Sequence, residues 1–325
     1  MRGGSIKGAP ILFYCEDTEL KVLSSLFLTV ALITAGCGSS VNSNNLTAKN
    51  SDSIIGGQLV KEGTALAQSV VGIYDDNEGY TCTGSLLPGN LVLTAAHCIG
   101  KKTSGVYIVF HPDMESILNM GNNFKNSPAV RQVVQMKANK DWNPGQANAA
   151  FPGNDVGLMM YEGETPKGYQ TAKILTDPAA LKTGATTILA GYGVDYAEVI
   201  PVDPKKTENL QDLIDKGEVF CNNDDARKAT TCIREEISGP AILKAVTVKI
   251  KYSPNDGEVI LDQRGGKAAC SGDSGGPAYI QVGDEVQLWG VTSRSGIGCN
   301  NDIIYMNILH YATWIKDTAK SFGAK

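Results

Sequence analysis

Apolar residues along this chain come in short runs broken by glycines and polar pairs, as in SLLPGNLVLTAA from Ser85 and VQLWGVTS from Val286. Runs this short, with turn-forming residues between them, are the pattern of β-strands rather than of long helices. An all-β body is therefore expected, with two helical exceptions. In ILHYATWIKDTAK, Ile308, Tyr311, Ile315 and Ala319 recur at helical spacing, which predicts a C-terminal helix whose apolar stripe packs on that body. In TENLQDLIDKG, Leu210, Leu213 and Ile214 share one face, Thr207 stands where a cap belongs and Gly217 where a helix stops. A further apolar stretch, Val22 to Ala35, is uncharged but too short to cross a bilayer comfortably.

That stretch reads as the core of an export signal over residues 1–37, preceded by Lys21. Ala35-Gly36 before Cys37 resembles a bacterial lipoprotein signal, in which that cysteine becomes the lipidated N-terminus and anchors the precursor to a membrane. Thr34 and the acidic CEDTE (Cys15 to Glu19) depart from the pattern, the latter pointing to a true start downstream of Met1. Ordinary secretion with Cys37 discarded is the alternative. Either way a periplasmic, cell-envelope or extracellular location follows. Residues 38–53 are small and polar, the composition of a linker or propeptide.

The remaining composition narrows the function. The chain has 325 residues, 42% hydrophobic, enough for one large core or two moderate ones. Its net charge of −5 offers no basic face for nucleic acid. Beyond the linker lie Cys82, Cys98, Cys221, Cys232, Cys270 and Cys299, an even set that reads as three disulfides in an exported protein. A metal site is the competing reading, but there is no C-x-x-C and only three histidines, so neither metal nor cofactor is expected.

The candidate chemistry centres on GDSGG, Gly272 to Gly276. Glycines permit a tight turn that presents Ser274 with backbone N–H groups free to face a developing oxyanion. A serine needs a base, and the base an orienting carboxylate. His97 in LVLTAAHC, His111 and His310 are the candidate bases, and Asp155 leads an apolar strand in NDVGLMMY.

TAAHC, NDVGLM and GDSGGP, in that order, together with IIGG (Ile54 to Gly57), resemble the chymotrypsin/trypsin-like serine peptidases over roughly residues 54–325. The resemblance implies two six-stranded antiparallel β-barrels with the active site between them and a C-terminal helix, residues 54–170 forming the first barrel and 171–325 the second. It implies a monomeric enzyme acting on polypeptides, with His97, Asp155 and Ser274 as a triad and the N–H groups of Gly272 and Ser274 as oxyanion hole. Ser293 resembles the serine supporting the triad aspartate, and Ser293, Arg294 and Ser295 the strand that pairs with substrate. Two disulfides are implied as well, Cys82 with Cys98 and Cys270 with Cys299. By the same resemblance a zymogen is cleaved before Ile54, and the new amine pairs with Asp273.

Departures from the family pattern are informative. Ser53 precedes Ile54 where many zymogens have Lys or Arg. Ala268 and Ala269 lie at the base of the implied specificity pocket, where an aspartate would be needed to bind Lys or Arg. Ile303 falls on a pocket wall usually glycine, Ser295 replaces another glycine, and Arg294 stands where an aromatic is common. Preference for small or medium apolar side chains follows, and a serine such as Ser53 fits such a pocket, so the enzyme is expected to cut its own precursor there. After GYG (Gly191 to Gly193) comes an insertion, 194–240, long enough to need structure of its own, with Cys221 and Cys232 paired within it. It reads either as a gate over the leaving side of the substrate or as surface elaboration. An inactive peptidase-like binding protein and an esterase are the rival functions; the intact triad argues against the first and the substrate-pairing strand against the second.

Overall fold

The structure, a computed structural model, describes residues 54–143 and 153–324. The signal segment, Cys37, Ser53 and the linker lie outside the described residues. Gln58–Leu59 (β1) precedes the first barrel in the chain yet pairs with Ala245 and Lys244 of the second. Six antiparallel strands follow: Val70–Asp75 (β2), Tyr80–Leu87 (β3), Leu91–Thr94 (β4), Val106–Val109 (β5), Val130–Ala138 (β6) and Gly157–Tyr161 (β7). They close into a barrel in the order β2-β3-β4-β7-β6-β5. The second barrel opens with Thr186–Gly191 (β8). The insertion then contributes Tyr196–Val202 (β9), Phe220–Cys221 (β10) and Cys232–Ser238 (β11) as a separate three-stranded sheet. Lys244–Asn255 (β12), Glu258–Asp262 (β13), Pro277–Val282 (β14), Glu285–Ser295 (β15) and Asp302–Asn307 (β16) complete the ring, which closes where β8 pairs with β12.

Closure removes the free strand edges that short, apolar strands would otherwise expose. Each barrel buries its own residues. The first packs Val71, Ile73, Leu93, Ile108 and Leu158, the second Leu189, Val246, Leu261, Trp289 and Tyr305. The Trp289 indole donates to Thr187 Oγ1 at 2.9 Å, and Thr187 donates on to the Tyr279 carbonyl at 2.8 Å, so the polar atom in that core is satisfied.

The C-terminal helix forms at Ala312–Ser321, with Tyr311 and Ile315 buried in the first barrel's core and Ala319 packed against it. Gln135 Nε2 on β6 donates to the Phe322 carbonyl at its end. In the insertion, the helix spans Leu210–Lys216 and Gly217, at φ 74°, ends it. Thr207 does not cap it: the Thr207 hydroxyl and N–H are both taken by the Asp203 carbonyl in the preceding turn, and Asn209, left-handed at φ 54°, occupies the cap position. Leu210, Leu213 and Ile214 pack with Val219 and the Cys221–Cys232 disulfide into a small core of their own.

Candidate active site

β4 carries its apolar residues out of the first barrel and ends in a single 3-10 turn, Ala96–Cys98, which holds His97. The Cys82–Cys98 disulfide ties that turn to β3. β7 begins two residues after Asp155, so both side chains emerge at the same end of the barrel, where β4 and β7 pair. His97 Nδ1 lies 2.8 Å from Asp155 Oδ2, and the His97 backbone N–H donates to Oδ1 at 2.9 Å. Ser293 Oγ donates to Oδ2 from the second barrel at 2.7 Å. Ser293 reaches it because the β15–β16 register slips between Thr292 and Arg294, a bulge that re-aims one side chain.

The electrostatics fix the imidazole's form. Burial alone would raise Asp155, but the charge and hydrogen bonds of His97 and the Ser293 hydroxyl outweigh it and hold the carboxyl below its usual value. An ionised carboxylate has no proton to give, so Nδ1–H donates and Nε2 is left as the acceptor. For His97, burial disfavours the charged form, yet the Asp155 charge and hydrogen bond together raise it above its ordinary value. The Asp155 side chain is 6% exposed and that of His97 32%, so the imidazole reaches solvent while the carboxylate that orients it does not. His111 is engaged with its own loop through Asp113, and His310 stacks edge-on against Tyr311; neither joins the cluster.

The serine loop comes from the second barrel and is held by the first. Thr83 N–H donates to the Ser274 carbonyl at 2.8 Å, and Thr83 Oγ1 donates to the Gly272 carbonyl while accepting from Tyr192 N–H. The N–H groups of Asp273, Gly275 and Gly276 are all hydrogen-bonded, to Cys270, Thr292 and Asp273 carbonyls. Those of Gly272 and Ser274 make no such bond among the described residues, which leaves two donors on one turn available to an oxyanion. No hydrogen bond joins the Ser274 hydroxyl to His97 among the described residues, a contact that commonly tightens only with substrate in place. Gly275 cannot be replaced here, because a Cβ would lie 1.9 Å from Thr94 Oγ1 at φ 78°. Thr83→Val keeps the shape but strands the Tyr192 N–H; it should lower stability by about 1–3 kcal/mol in urea unfolding. No change would show that the loop is held elsewhere.

Beside the loop, Ile54 is fully buried with Ala269 in the second barrel's core, and Ala268 N–H donates to the Ile55 carbonyl at 2.9 Å. Asp273 is also buried and accepts from Gly193 N–H and Cys270 N–H, each at 2.8 Å. Burial nevertheless pushes its carboxyl up to about 7, against those two bonds and the charge of Lys244. The Cys270–Cys299 disulfide joins this loop to the turn after β15. Ala268 and Ala269 are buried, and Ile303 on β16 is buried opposite Ser295.

Arg294 is not a free cation. It donates to Glu258 Oε1 at 2.8 Å, and the same oxygen accepts from Gly153 N–H, two residues before Asp155. Sequence reasoning missed Glu258 and Thr83. The signals were present: Glu258 leads an apolar strand in GEVILD as Asp155 does in NDVGLM, and Thr83 directly follows a disulfide cysteine.

The site thus sets an imidazole oriented by a buried carboxylate near a serine turn at the junction of two β-barrels. The family model described as Trypsin matches residues 54–315, and the chain belongs to that family of serine endopeptidases. Kallikrein 1-related peptidase b24 of Mus musculus is 28% identical over 249 residues, covering 74% of this chain and 80% of that protein. Kallikrein-1 of the same organism is 28% identical over 251 residues, with the same coverage of both. Chymotrypsin-like elastase family member 1 of Canis lupus familiaris is 23% identical over 248 residues, covering 74% and 82%. The three disulfides, Cys82–Cys98, Cys221–Cys232 and Cys270–Cys299, fit an exported enzyme that acts on polypeptides.

Proposed function

We propose that this endopeptidase cleaves through an acyl-enzyme formed on Ser274. His97 Nε2 takes the hydroxyl proton as Oγ attacks the scissile carbonyl, then gives it to the leaving amine. Asp155 holds the imidazole's tautomer and stabilises the imidazolium, and the Gly272 and Ser274 N–H groups receive the oxyanion. Water then enters by the same route, His97 again serving as base. The observation that carries this reading is the buried Asp155 carboxylate, which accepts from His97 through both oxygens and from Ser293 Oγ. The precursor is activated by cleavage before Ile54, whose new ammonium pairs with Asp273, and the enzyme makes that cut itself after Ser53. Lipidation of Cys37 would anchor the precursor only.

The pocket floor, Ala268 and Ala269, offers no charge to a substrate ammonium, and Ile303 shortens the pocket. Desolvating an unpaired ammonium there is unfavourable by several kcal/mol. Chain cleaved before Ile54 should take a fluorophosphonate label and hydrolyse chromogenic peptides with Ala or Val before the scissile bond. Those peptides should exceed their Lys and Arg counterparts by about 100-fold in kcat/KM, the size of a cation left unpaired in an apolar site. A chain that takes no label sinks the mechanism; a Lys or Arg preference sinks the pocket assignment.

A further inference from the structure

Part of the insertion packs on the outer side of the proposed specificity pocket. Glu235 on β11 accepts a hydrogen bond from Gly298 N–H through Oε1 at 2.6 Å. Val199 on β9 is the direct cross-strand partner of Glu235, so both side chains leave the sheet on the same face. Val199 meets the same corner: a Cβ at Gly298 would lie 2.5 Å from its Cγ2. Two residues of one sheet face thus grip one turn, a polar contact on its N–H and an apolar one on its Cα.

That turn is unusual in its backbone. Gly298 sits at φ 79° and Cys299 at φ 49°, and a left-handed conformation is unfavourable for a residue with a Cβ. Such a conformation persists only when its surroundings over-determine it. Here they do so from both sides. Cys299 is bonded to Cys270 in the serine loop, and Glu235 holds the preceding N–H. The insertion's stem completes the contact. Val194 and Ala197 pack on Ala268, Cys270 and Cys299, and Val194 N–H donates to the Ser271 carbonyl, one residue from Gly272.

We propose that the inserted sheet is a brace for the primary specificity pocket, with Glu235 as the positioning residue that sets the pocket's width through Gly298. The proposal rests on the endopeptidase reading above and on Ala268, Cys270 and Cys299 bounding that pocket. The carboxylate touches no substrate. It fixes a wall that the side chain before the scissile bond leans on, so its loss is felt in selectivity before it is felt in the chemical step.

The test compares wild type, Glu235→Ala and Glu235→Gln, each cleaved before Ile54, on peptides with Ala, Val, Leu or Phe before the scissile bond. In Glu235→Ala, KM for the Ala and Val peptides should rise about tenfold, the equivalent of one hydrogen bond to a charged group, with kcat within about twofold. The Leu and Phe peptides should be affected less, because a wall free to retreat disfavours small side chains most. Glu235→Gln should recover most of the loss, since an amide oxygen still accepts from Gly298 N–H. Val199→Ala, which leaves the stem and the disulfide untouched, should shift selectivity the same way and serves if Glu235→Ala does not fold. Labelled, active variants with the wild-type order of KM values would overturn the brace while leaving the endopeptidase reading intact. So would a uniform fall in kcat at fixed KM. A wild-type chain that takes no fluorophosphonate would overturn both.

Discussion

Replacing Ser274 by alanine should lower kcat/KM on a preferred peptide by roughly 10⁴-fold or more. The proposed mechanism gives the serine oxygen the only bond to substrate, and nothing else on the turn can form an acyl-enzyme. The substitution should leave the fold alone. Ser274 is tied to Thr83 through its backbone carbonyl, and that bond survives in alanine. Thermal unfolding should therefore be unchanged while fluorophosphonate labelling disappears. His97→Ala should fall as far, and the double variant no further, because the residues act as one unit. Residual turnover within tenfold of wild type would refute the assignment. The same variant tests self-processing, since purified Ser274→Ala precursor trimmed to Ile54 without an added protease would show that another enzyme makes the cut.

The uncleaved precursor should lose stability as pH rises between about 4 and 7, and cleavage before Ile54 should abolish that loss. In the folded chain the Asp273 carboxyl keeps its proton to about 7, against an ordinary value of 3.8, because burial penalises the charge. Between those values the folded state holds a proton that the unfolded state has given up. Stability is thus full below the lower value and declines through the upper one, by up to about 1.4 kcal/mol per pH unit. A second strain sits at the junction itself, where Ile54 is held at φ 43°, a conformation unfavourable for a β-branched residue. Cleavage removes the peptide bond that enforces this angle and creates an ammonium to pair with Asp273. Urea titrations of the Ser274→Ala precursor across that range, with and without Asp273→Asn, measure the slope. Asparagine should flatten it in the precursor. In the cleaved enzyme the same substitution should cost about 3–5 kcal/mol by leaving a buried ammonium unpaired. Equal slopes in precursor, cleaved chain and Asp273→Asn would show that the carboxyl is not the titrating group.

The parts of this protein that were legible in the sequence are those written in local pattern. Glycine-broken apolar runs gave strands, a stripe from Ile308 to Ala319 gave the terminal helix, and an even cysteine count gave three disulfides, two of whose pairings came only from the family resemblance. The residues around Ser274 were legible because a tight turn needs glycine in sequence as well as in space. What failed was of two kinds. Thr207 has the right chemistry for a cap, but a nearer acceptor, the Asp203 carbonyl, took its hydroxyl, and local competition of this sort leaves no trace in helical periodicity. Glu235, Glu258 and Thr83 matter through partners that are 63, 36 and 189 positions away in the chain. Only closure of the barrels and docking of the insertion bring those partners together. The sheet of the insertion was missed for a related reason, since β11 carries Arg234, Glu235 and Glu236 in succession and exposes much of its length, so no apolar alternation marks it.

The Arg294–Glu258 pair has a bearing on how this family's members can diverge. Glu258 is almost wholly enclosed and serves three donors, the guanidinium, the Gly153 N–H and the Asn255 amide. An aromatic at 294 would strip an enclosed carboxylate of its cation, whereas an apolar residue at 258 would release the segment that carries Asp155 and leave the guanidinium without its carboxylate. Each single step therefore passes through a form worse than either end. Positions 294 and 258 are locked as a unit, and a lineage that acquired one would be held to the other long after the reason for the first change had gone.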